Sequence, residues 1–279
     1  MYRRLAPLSI LLSLLSCLPA RAEQDVIVMV GESTTYGQTE ASTQSPVNAA
    51  VVLEFLLSKI DYPCPYANLP VRNWAVPGTN TTDWFVKVPH VYCAIVAIDP
   101  SGFESQLVRY ACEHQTPLAP AVLPVAKVRG EHVKLLLVNA QGTNDAHIAP
   151  HVTPDKTVER IASWPSIVAP VPVLISPPFY RNDDPNTLVV RMAGHSPEAL
   201  ARYVRKVRRL ELARGVITGP DWGVLFANPP FQSDGFHLTD GGSAIAAAHW
   251  LDKLCPRPIP PPLMLPPRST AAVENKAGG

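Results

Sequence analysis

The sequence predicts an α/β protein in which helices cover both faces of a parallel sheet. Residues 26–30 are five consecutive apolar residues, four of them β-branched, which is typical of a strand buried on both faces. Further short apolar segments alternate along the chain with segments whose apolar residues recur at helical spacing. Strands that alternate with helices in this way form right-handed βαβ units and hence a parallel sheet.

The individual elements follow from local patterns. We expect strands at about 26–30, 71–76, 91–98, 132–138, 171–175 and 222–226, with a helical turn as the alternative at 91–98. We expect helices at about 46–60, 79–85, 101–112, 154–164, 197–214 and 241–254, and an irregular segment at 116–130 because three prolines interrupt it. In the first of these helices, Ser45 is the expected cap and Pro46 suits the first turn.

The two ends of the chain lie outside the predicted domain. Residues 1–22 have the pattern of a signal peptide, with Arg3 and Arg4 before an apolar run and Ala20-Arg21-Ala22 as the cleavage site. An alternative is a lipoprotein signal that ends at Cys17. We expect one domain over 23–255, followed by a proline-rich tail over 256–279. The protein is therefore predicted to be exported, to the periplasm or the medium.

Charge and cysteine content narrow the possible partners. The formal net charge of the chain is +1, and loss of three arginines with the signal would leave −2, which argues against nucleic acid or an anionic membrane as a partner. Four cysteines remain after the signal, namely Cys64, Cys93, Cys112 and Cys255. They allow three pairings, of which local Cys93–Cys112 with Cys64–Cys255 is favoured, or four free thiols. No C-x-x-C pair is present to indicate a structural zinc site.

Four short blocks fall at predicted strand exits or before the last helix. They are Gly31-Glu32-Ser33, Asn73-Trp74-Ala75-Val76-Pro77-Gly78, Gly142-Thr143-Asn144-Asp145 and Asp234-Gly235-Phe236-His237-Leu238. In order and in context they resemble the SGNH, or GDSL-type, hydrolase family over about residues 26–254. The resemblance implies a flavodoxin-like α/β/α sandwich, with the site at the carboxyl ends of the strands.

The resemblance also implies a role for each of these residues. Ser33 is the expected nucleophile, His237 the base that takes its proton, and Asp234 the group that orients the imidazole. The expected oxyanion hole consists of the backbone N–H groups of Ser33 and Gly78 and the side-chain amide of Asn144. We expect Asp145 to hold the loop in which it lies.

Two features depart from the family pattern. Glu32 stands where the family usually has aspartate, so its hydrogen bonds must differ. The interval between Gly78 and Asn144 is long, and we expect an insertion at about 91–130. Because the insertion contains Cys93 and Cys112, a disulfide-closed flap near the site is one interpretation.

The expected function is hydrolysis of carboxylic esters through an acyl-serine intermediate, with short-acyl or carbohydrate esters as substrates. One alternative is acyl transfer to a sugar hydroxyl by the same residues, and another is a binding protein that retains only the fold. No cofactor is expected, and His147, His151, His195 and His249 form no metal-ligand pattern. The partner is expected to be a small ester rather than nucleic acid or membrane, and the sequence leaves the oligomeric state open.

Overall fold

Within the part of the chain that the structure describes, a parallel sheet of four strands in the order β2-β1-β3-β4 forms the centre of the molecule. The computed structural model describes residues 23–39, 43–98, 106–147, 152–178, 197–222 and 237–257. The strands are β1 (Gln24–Gly31), β2 (Val71–Asn73), β3 (Glu131–Asn139) and β4 (Val173–Ile175). A strand was predicted at each of these places, and the parallel sheet is confirmed.

Helices cover both faces of the sheet. In chain order they are α1 (Ser33–Tyr36), α2 (Ala49–Leu57), α3 (Thr81–Phe85), α4 (His90–Ile98), α5 (Gln106–Glu113), α6 (Leu118–Val128), α7 (Thr143–His147), α8 (Pro154–Ile161), α9 (Trp164–Ile167), α10 (Pro197–Arg214) and α11 (Asp240–Leu254). The three-layer α/β/α fold that the sequence predicted is therefore confirmed.

Strand β1 shows why its apolar run is continuous. Val26, Val28 and Val30 pack into the hydrophobic cluster on one face of the sheet, while Ile27 and Met29 pack into the cluster on the other face. All five side chains are fully buried. Successive side chains of a strand point to opposite faces, so a central strand covered on both sides has no position for a polar residue.

The two faces carry different helices. The first cluster includes buried side chains of α3, α5, α6, α8 and α9, and we call this side the α6 face. The second cluster includes buried side chains of α2 and α11, and we call this side the α11 face. β2 and β3 lie on opposite sides of β1, so α3 to α6 carry the chain across the sheet between them.

The strand expected at 91–98 is wrong, because this segment belongs to helix α4. A short apolar run fits a buried strand and an apolar helix equally well, and periodicity alone does not separate them. Here Val91 and Ile95 are 71% and 41% exposed, so the run is apolar without being buried on all sides.

The irregular segment expected at 116–130 is also wrong, because α6 occupies most of it. Pro117 is the N-cap and Pro120 lies in the first turn, where a backbone N–H has no partner within the helix. Pro124 lies inside the helix and removes one hydrogen bond. Helix α6 forms nevertheless, because most of its side chains are buried in the α6-face cluster.

Helix α2 begins later than expected, and its cap is Asn48 rather than Ser45. The Asn48 side chain accepts hydrogen bonds from the backbone N–H groups of Ala50 and Val51. Ser45 instead donates from Oγ to Asp240 Oδ1 at 2.7 Å, which ties the loop before α2 to the first turn of α11. Both residues are suitable caps by type, but the Ser45 hydroxyl accepts from Val47 N–H before the helix begins, and Asn48 accepts from the first turn.

The segment predicted as an insertion at 91–130 divides into two parts. Its second part, α6, is a layer of the core, so the interpretation of the whole segment as a flap is wrong for 118–128. Its first part joins α4 to α5 through the Cys93–Cys112 disulfide. The second disulfide joins Cys64 to Cys255 at the end of α11, and the two bonds are the pairing that the sequence favoured.

Several predictions fall outside the described residues. They concern the signal peptide at 1–22, all but the first residue of the strand at 222–226, and nearly all of the tail at 256–279. Among the described helices, none combines the length and the apolar character that crossing a membrane would require.

Candidate active site

The turn after β1 places Ser33 at the carboxyl edge of the sheet. β1 ends at Gly31 and α1 begins at Ser33, which is only 4% exposed. A Cβ at Gly31 would lie 2.3 Å from the carbonyl oxygen of Asn139 on the neighbouring strand β3. Only glycine allows the two backbones to approach this closely, so the sharp strand-to-helix turn depends on it.

Glu32 connects this turn to the loop after β3. Its Oε1 accepts a hydrogen bond from the backbone N–H of Gly142, and its Oε2 accepts one from the backbone N–H of Asn144, both at 2.8 Å. Both oxygens are used in this way, and the side chain does not cap α1. Because Glu32 directly precedes the expected nucleophile Ser33, these hydrogen bonds hold Asn144 close to Ser33.

Burial governs the charge of Glu32. The side chain is 1% exposed. Loss of solvent raises the pKa of Glu32 well above its usual value, and the nearby Asp145 carboxyl raises it further, while the two backbone N–H groups act in the opposite direction. Glu32 thus retains its proton at a higher pH than an exposed glutamate does.

The side-chain amide of Asn144 is fixed beside the turn that contains Gly78. Asn144 Nδ2 donates to the carbonyl oxygen of Thr79 at 2.8 Å. Thr79 is itself held, since its Oγ1 donates to Val76 O and accepts from the indole N–H of Trp84. Among the described residues, Thr79 is the one partner of this amide nitrogen. A primary amide has two N–H donors, so the second one is left for a ligand.

Gly78 lies in the turn that follows β2 and has the left-handed φ of 75°. A Cβ at this position would lie 2.6 Å from the hydroxyl oxygen of Tyr92 on α4. The backbone N–H of Val76 donates to Gly31 O at 3.0 Å, which joins this turn to the nucleophile turn. Ser33, Gly78 and Asn144 are thus brought to the same edge of the sheet.

Asp145 is a buried scaffold for this edge. It accepts hydrogen bonds from the backbone N–H and hydroxyl of Thr81 at the start of α3, and from the hydroxyl of Thr157 on α8. Burial raises the pKa of Asp145, and these hydrogen bonds together with Arg160 oppose that shift. The structure thus gives it the loop-holding contacts that we expected.

His237 precedes α11 and is partly buried, with its Nε2 nitrogen shielded from solvent. Two hydrogen bonds of Ser45 connect the start of α11 to the end of α1. Its hydroxyl donates to Asp240 on α11, and its backbone N–H donates to the carbonyl oxygen of Gly37, directly after α1. Asp234, the expected third member of the triad, lies outside the described residues.

A network of buried polar groups beneath the site was missed in the sequence. Asn139 Nδ2 donates to Thr35 Oγ1, and Thr35 Oγ1 donates back to Asn139 O. Asn139 Oδ1 accepts from the indole of Trp250 on α11 and from Ser176 Oγ. Tryptophan N–H groups need an acceptor when buried, which was the available signal for such a network.

The four histidines that form no metal-ligand pattern in the sequence lie apart from the expected nucleophile in the chain. The ring of His249 packs against that of the buried Trp222. His147 lies in α7, and His151 and His195 lie outside the described residues. No group of three metal-ligating side chains exists within the part of the chain that the structure describes.

Solved structures share this fold, although no protein-family model and no curated protein matches the sequence. A lipase/acylhydrolase from Enterococcus faecalis superposes with a TM-score of 0.51 at 17% identity, over 85% of this chain and 100% of that chain. Est24, a carbohydrate acetylesterase from Sinorhizobium meliloti, superposes with a TM-score of 0.50 at 15% identity, over 82% of this chain and 97% of that chain.

The chain therefore shares its α/β/α fold with these acylhydrolase and acetylesterase structures. At these identities the likeness extends to the fold alone.

Proposed function

We propose that the protein is an exported serine esterase that hydrolyses carboxylic esters through an acyl-Ser33 intermediate. The observation that carries this proposal is the pair of hydrogen bonds made by Asn144. Its backbone N–H binds the residue before Ser33, and its side-chain amide binds the residue after Gly78. The three expected oxyanion donors are therefore linked through one residue.

In this proposal His237 takes the proton of Ser33 Oγ as that oxygen attacks the ester carbonyl carbon. The carbonyl oxygen becomes an oxyanion, which the N–H groups of Ser33 and Gly78 and the amide of Asn144 stabilise. His237 then gives its proton to the leaving alcohol, and Asp234 orients the imidazole. Water, activated by His237, releases the acid from Ser33.

Export rests on the leader pattern and on the two disulfides, because such bonds persist in oxidising compartments. The substrates we propose are short-acyl or carbohydrate esters. This substrate class is supported by the polar segments beside the site, which offer little apolar surface to a long lipid chain. Those among the described residues are 34–39, 43–45 and 79–83.

The nucleophile is tested with a fluorophosphonate probe and with 4-nitrophenyl acetate. We expect one adduct on Ser33 by peptide mass mapping, and loss of both labelling and hydrolysis in Ser33→Ala. Ser58→Ala is the matched control, since Ser58 is exposed at the end of α2. Hydrolysis by folded Ser33→Ala at the wild-type rate would contradict the proposal.

The oxyanion role is tested with Asn144→Ala. We expect kcat to fall by about 10²–10³ with KM little changed, because the lost donor acts on charge that develops in the transition state. A variant whose KM rises while kcat is retained would indicate that Asn144 binds the substrate without stabilising the oxyanion.

A further inference from the structure

The side chain of Tyr92 forms the boundary of the site beside Gly78. Its hydroxyl oxygen lies 2.6 Å from the position that a Cβ of Gly78 would occupy, so the tyrosine fills the space next to this expected oxyanion donor. The ring is partly buried against the α6-face cluster. Burial raises the pKa of Tyr92, with further contributions from Asp83 and Glu32, so the phenol stays neutral.

The two faces of the sheet determine which part of an ester meets this side chain. Tyr92 packs on the α6 face, whereas Leu238, directly after His237, packs on the α11 face. In the tetrahedral intermediate the carbonyl carbon carries Ser33 Oγ, the oxyanion, the alcohol oxygen and the acyl substituent. The alcohol oxygen must face His237 to receive its proton, and the acyl substituent is then directed away from the α11 face.

We propose that Tyr92 closes the acyl pocket of this esterase and restricts it to short acyl groups. The inference rests on the proposed function, since it assigns a side of the same site. Because Tyr92 lies between the Gly78 position and the α6-face cluster, removal of its ring opens a space with apolar walls that a longer acyl chain can enter.

The Cys93–Cys112 disulfide fixes the position of Tyr92. Cys93 follows Tyr92 directly, and Cys112 lies on α5, whose Leu107, Val108 and Ala111 are buried in the core. The bond therefore connects the residue next to the pocket wall to a helix that is anchored in the α6 face. Loss of this bond is expected to loosen the wall.

The test compares kcat/KM for 4-nitrophenyl octanoate with kcat/KM for the acetate. We expect the octanoate-to-acetate ratio to rise by about tenfold or more in Tyr92→Ala, and by less in Tyr92→Phe, which removes only the hydroxyl. Tyr110→Ala is the matched control, because Tyr110 is a partly buried tyrosine on α5 that packs on the same cluster and stacks on His114.

A second comparison uses the disulfides. We expect the ratio to rise in the double variant Cys93→Ala/Cys112→Ala and to keep its wild-type value in Cys64→Ala/Cys255→Ala, whose bond ends on the α11 face. Each double variant lacks one disulfide, so a difference in the octanoate-to-acetate ratio between them reports the position of the lost bond and not the loss of a disulfide as such.

The outcomes separate the two levels of the proposal. A wild-type ratio in Tyr92→Ala, or an equal rise in Tyr110→Ala, overturns the acyl-pocket role while acetate hydrolysis leaves the esterase proposal intact. A wild-type protein that neither hydrolyses acetate nor reacts with the fluorophosphonate probe overturns both.

Discussion

Two regions of the molecule bury carboxyl groups in opposite ways. Beside the site, Glu32 and Asp145 are almost completely buried, and each accepts at least two hydrogen bonds. On α10, Glu211 is equally buried, but neither of its oxygens accepts a hydrogen bond among the described residues. Burial raises the pKa of all three groups, so burial alone does not distinguish them.

The difference lies in what the carboxyl groups organise. Glu32 and Asp145 join loops from separate strands, and removal of either leaves backbone donors without an acceptor. Burial raises the pKa of Glu211 to about 8, and the negative charge of nearby Asp221 acts in the same direction. We therefore expect substitutions at Glu32 to damage activity and substitutions at Glu211 to improve stability.

Among substitutions of these three carboxyl groups, the largest effect is expected for Glu32→Gln. Glutamine has one acceptor oxygen where the carboxyl group has two, so either Gly142 N–H or Asn144 N–H faces an amide that cannot accept. We expect kcat to fall by about 100-fold, because a small displacement of Asn144 misplaces an oxyanion donor. The free energy of unfolding should fall by about 1–3 kcal/mol for the unsatisfied donor.

The measurement is 4-nitrophenyl acetate hydrolysis together with urea unfolding. Glu113→Gln is the control, since Glu113 is exposed on α5. If Glu32→Gln retained wild-type kcat, the hydrogen bonds of Glu32 would have no part in positioning Asn144.

The next effect concerns the pH dependence of stability at Glu211. Its pKa of about 8 in the folded protein lies above the usual glutamate value of 4.5. Between these values the folded state holds a proton that the unfolded state has released, so this group's stabilisation is full below about pH 4.5 and is lost as the pH rises through about 8. The loss is of the order of 1 kcal/mol per pH unit.

Glu211→Leu removes the buried acid with a side chain of similar size. We expect the variant to be more stable than the wild type at pH 8, by about 1–3 kcal/mol, and its stability to depend less on pH between 6 and 9. Chemical unfolding at several pH values measures this, with Glu159→Leu, on the exposed side of α8, as the control. Equal pH slopes for wild type and Glu211→Leu would contradict the prediction.

The sequence predicted the sheet because buried strands have a local pattern, whereas the expected oxyanion residues came from the resemblance to the SGNH family. The run at 26–30 identifies β1, and the blocks at Ser33, Gly78 and Asn144 stand directly after strands or their turns. In a parallel sheet these exits meet at one edge, so residues far apart in sequence could be placed together.

The failures occurred where tertiary contacts overrode local pattern. α6 forms despite its prolines because the α6 face buries it, and α2 is capped by Asn48 while Ser45 bonds to Asp240 of α11. The two partners of Glu32 were not predicted, since they depend on how far a glutamate reaches across the sheet edge. Tyr92 was not identified at all, because its segment was expected to be a strand.

The smallest effect is expected for Asp145→Asn, and its reason sharpens the comparison with Glu32. An asparagine oxygen can still accept from the backbone N–H of Thr81, and its amide can donate to the hydroxyl oxygens of Thr81 and Thr157, which accept as readily as they donate. Glu32 faces only backbone N–H groups, which cannot reverse their role. We therefore expect Asp145→Asn to cost about 1 kcal/mol in the free energy of unfolding and to leave kcat within about threefold of wild type.

Urea unfolding and acetate hydrolysis of Asp145→Asn and Glu32→Gln side by side provide the measurement. Equal losses of kcat in the two variants would show that the kind of donor facing each carboxyl group does not decide its contribution.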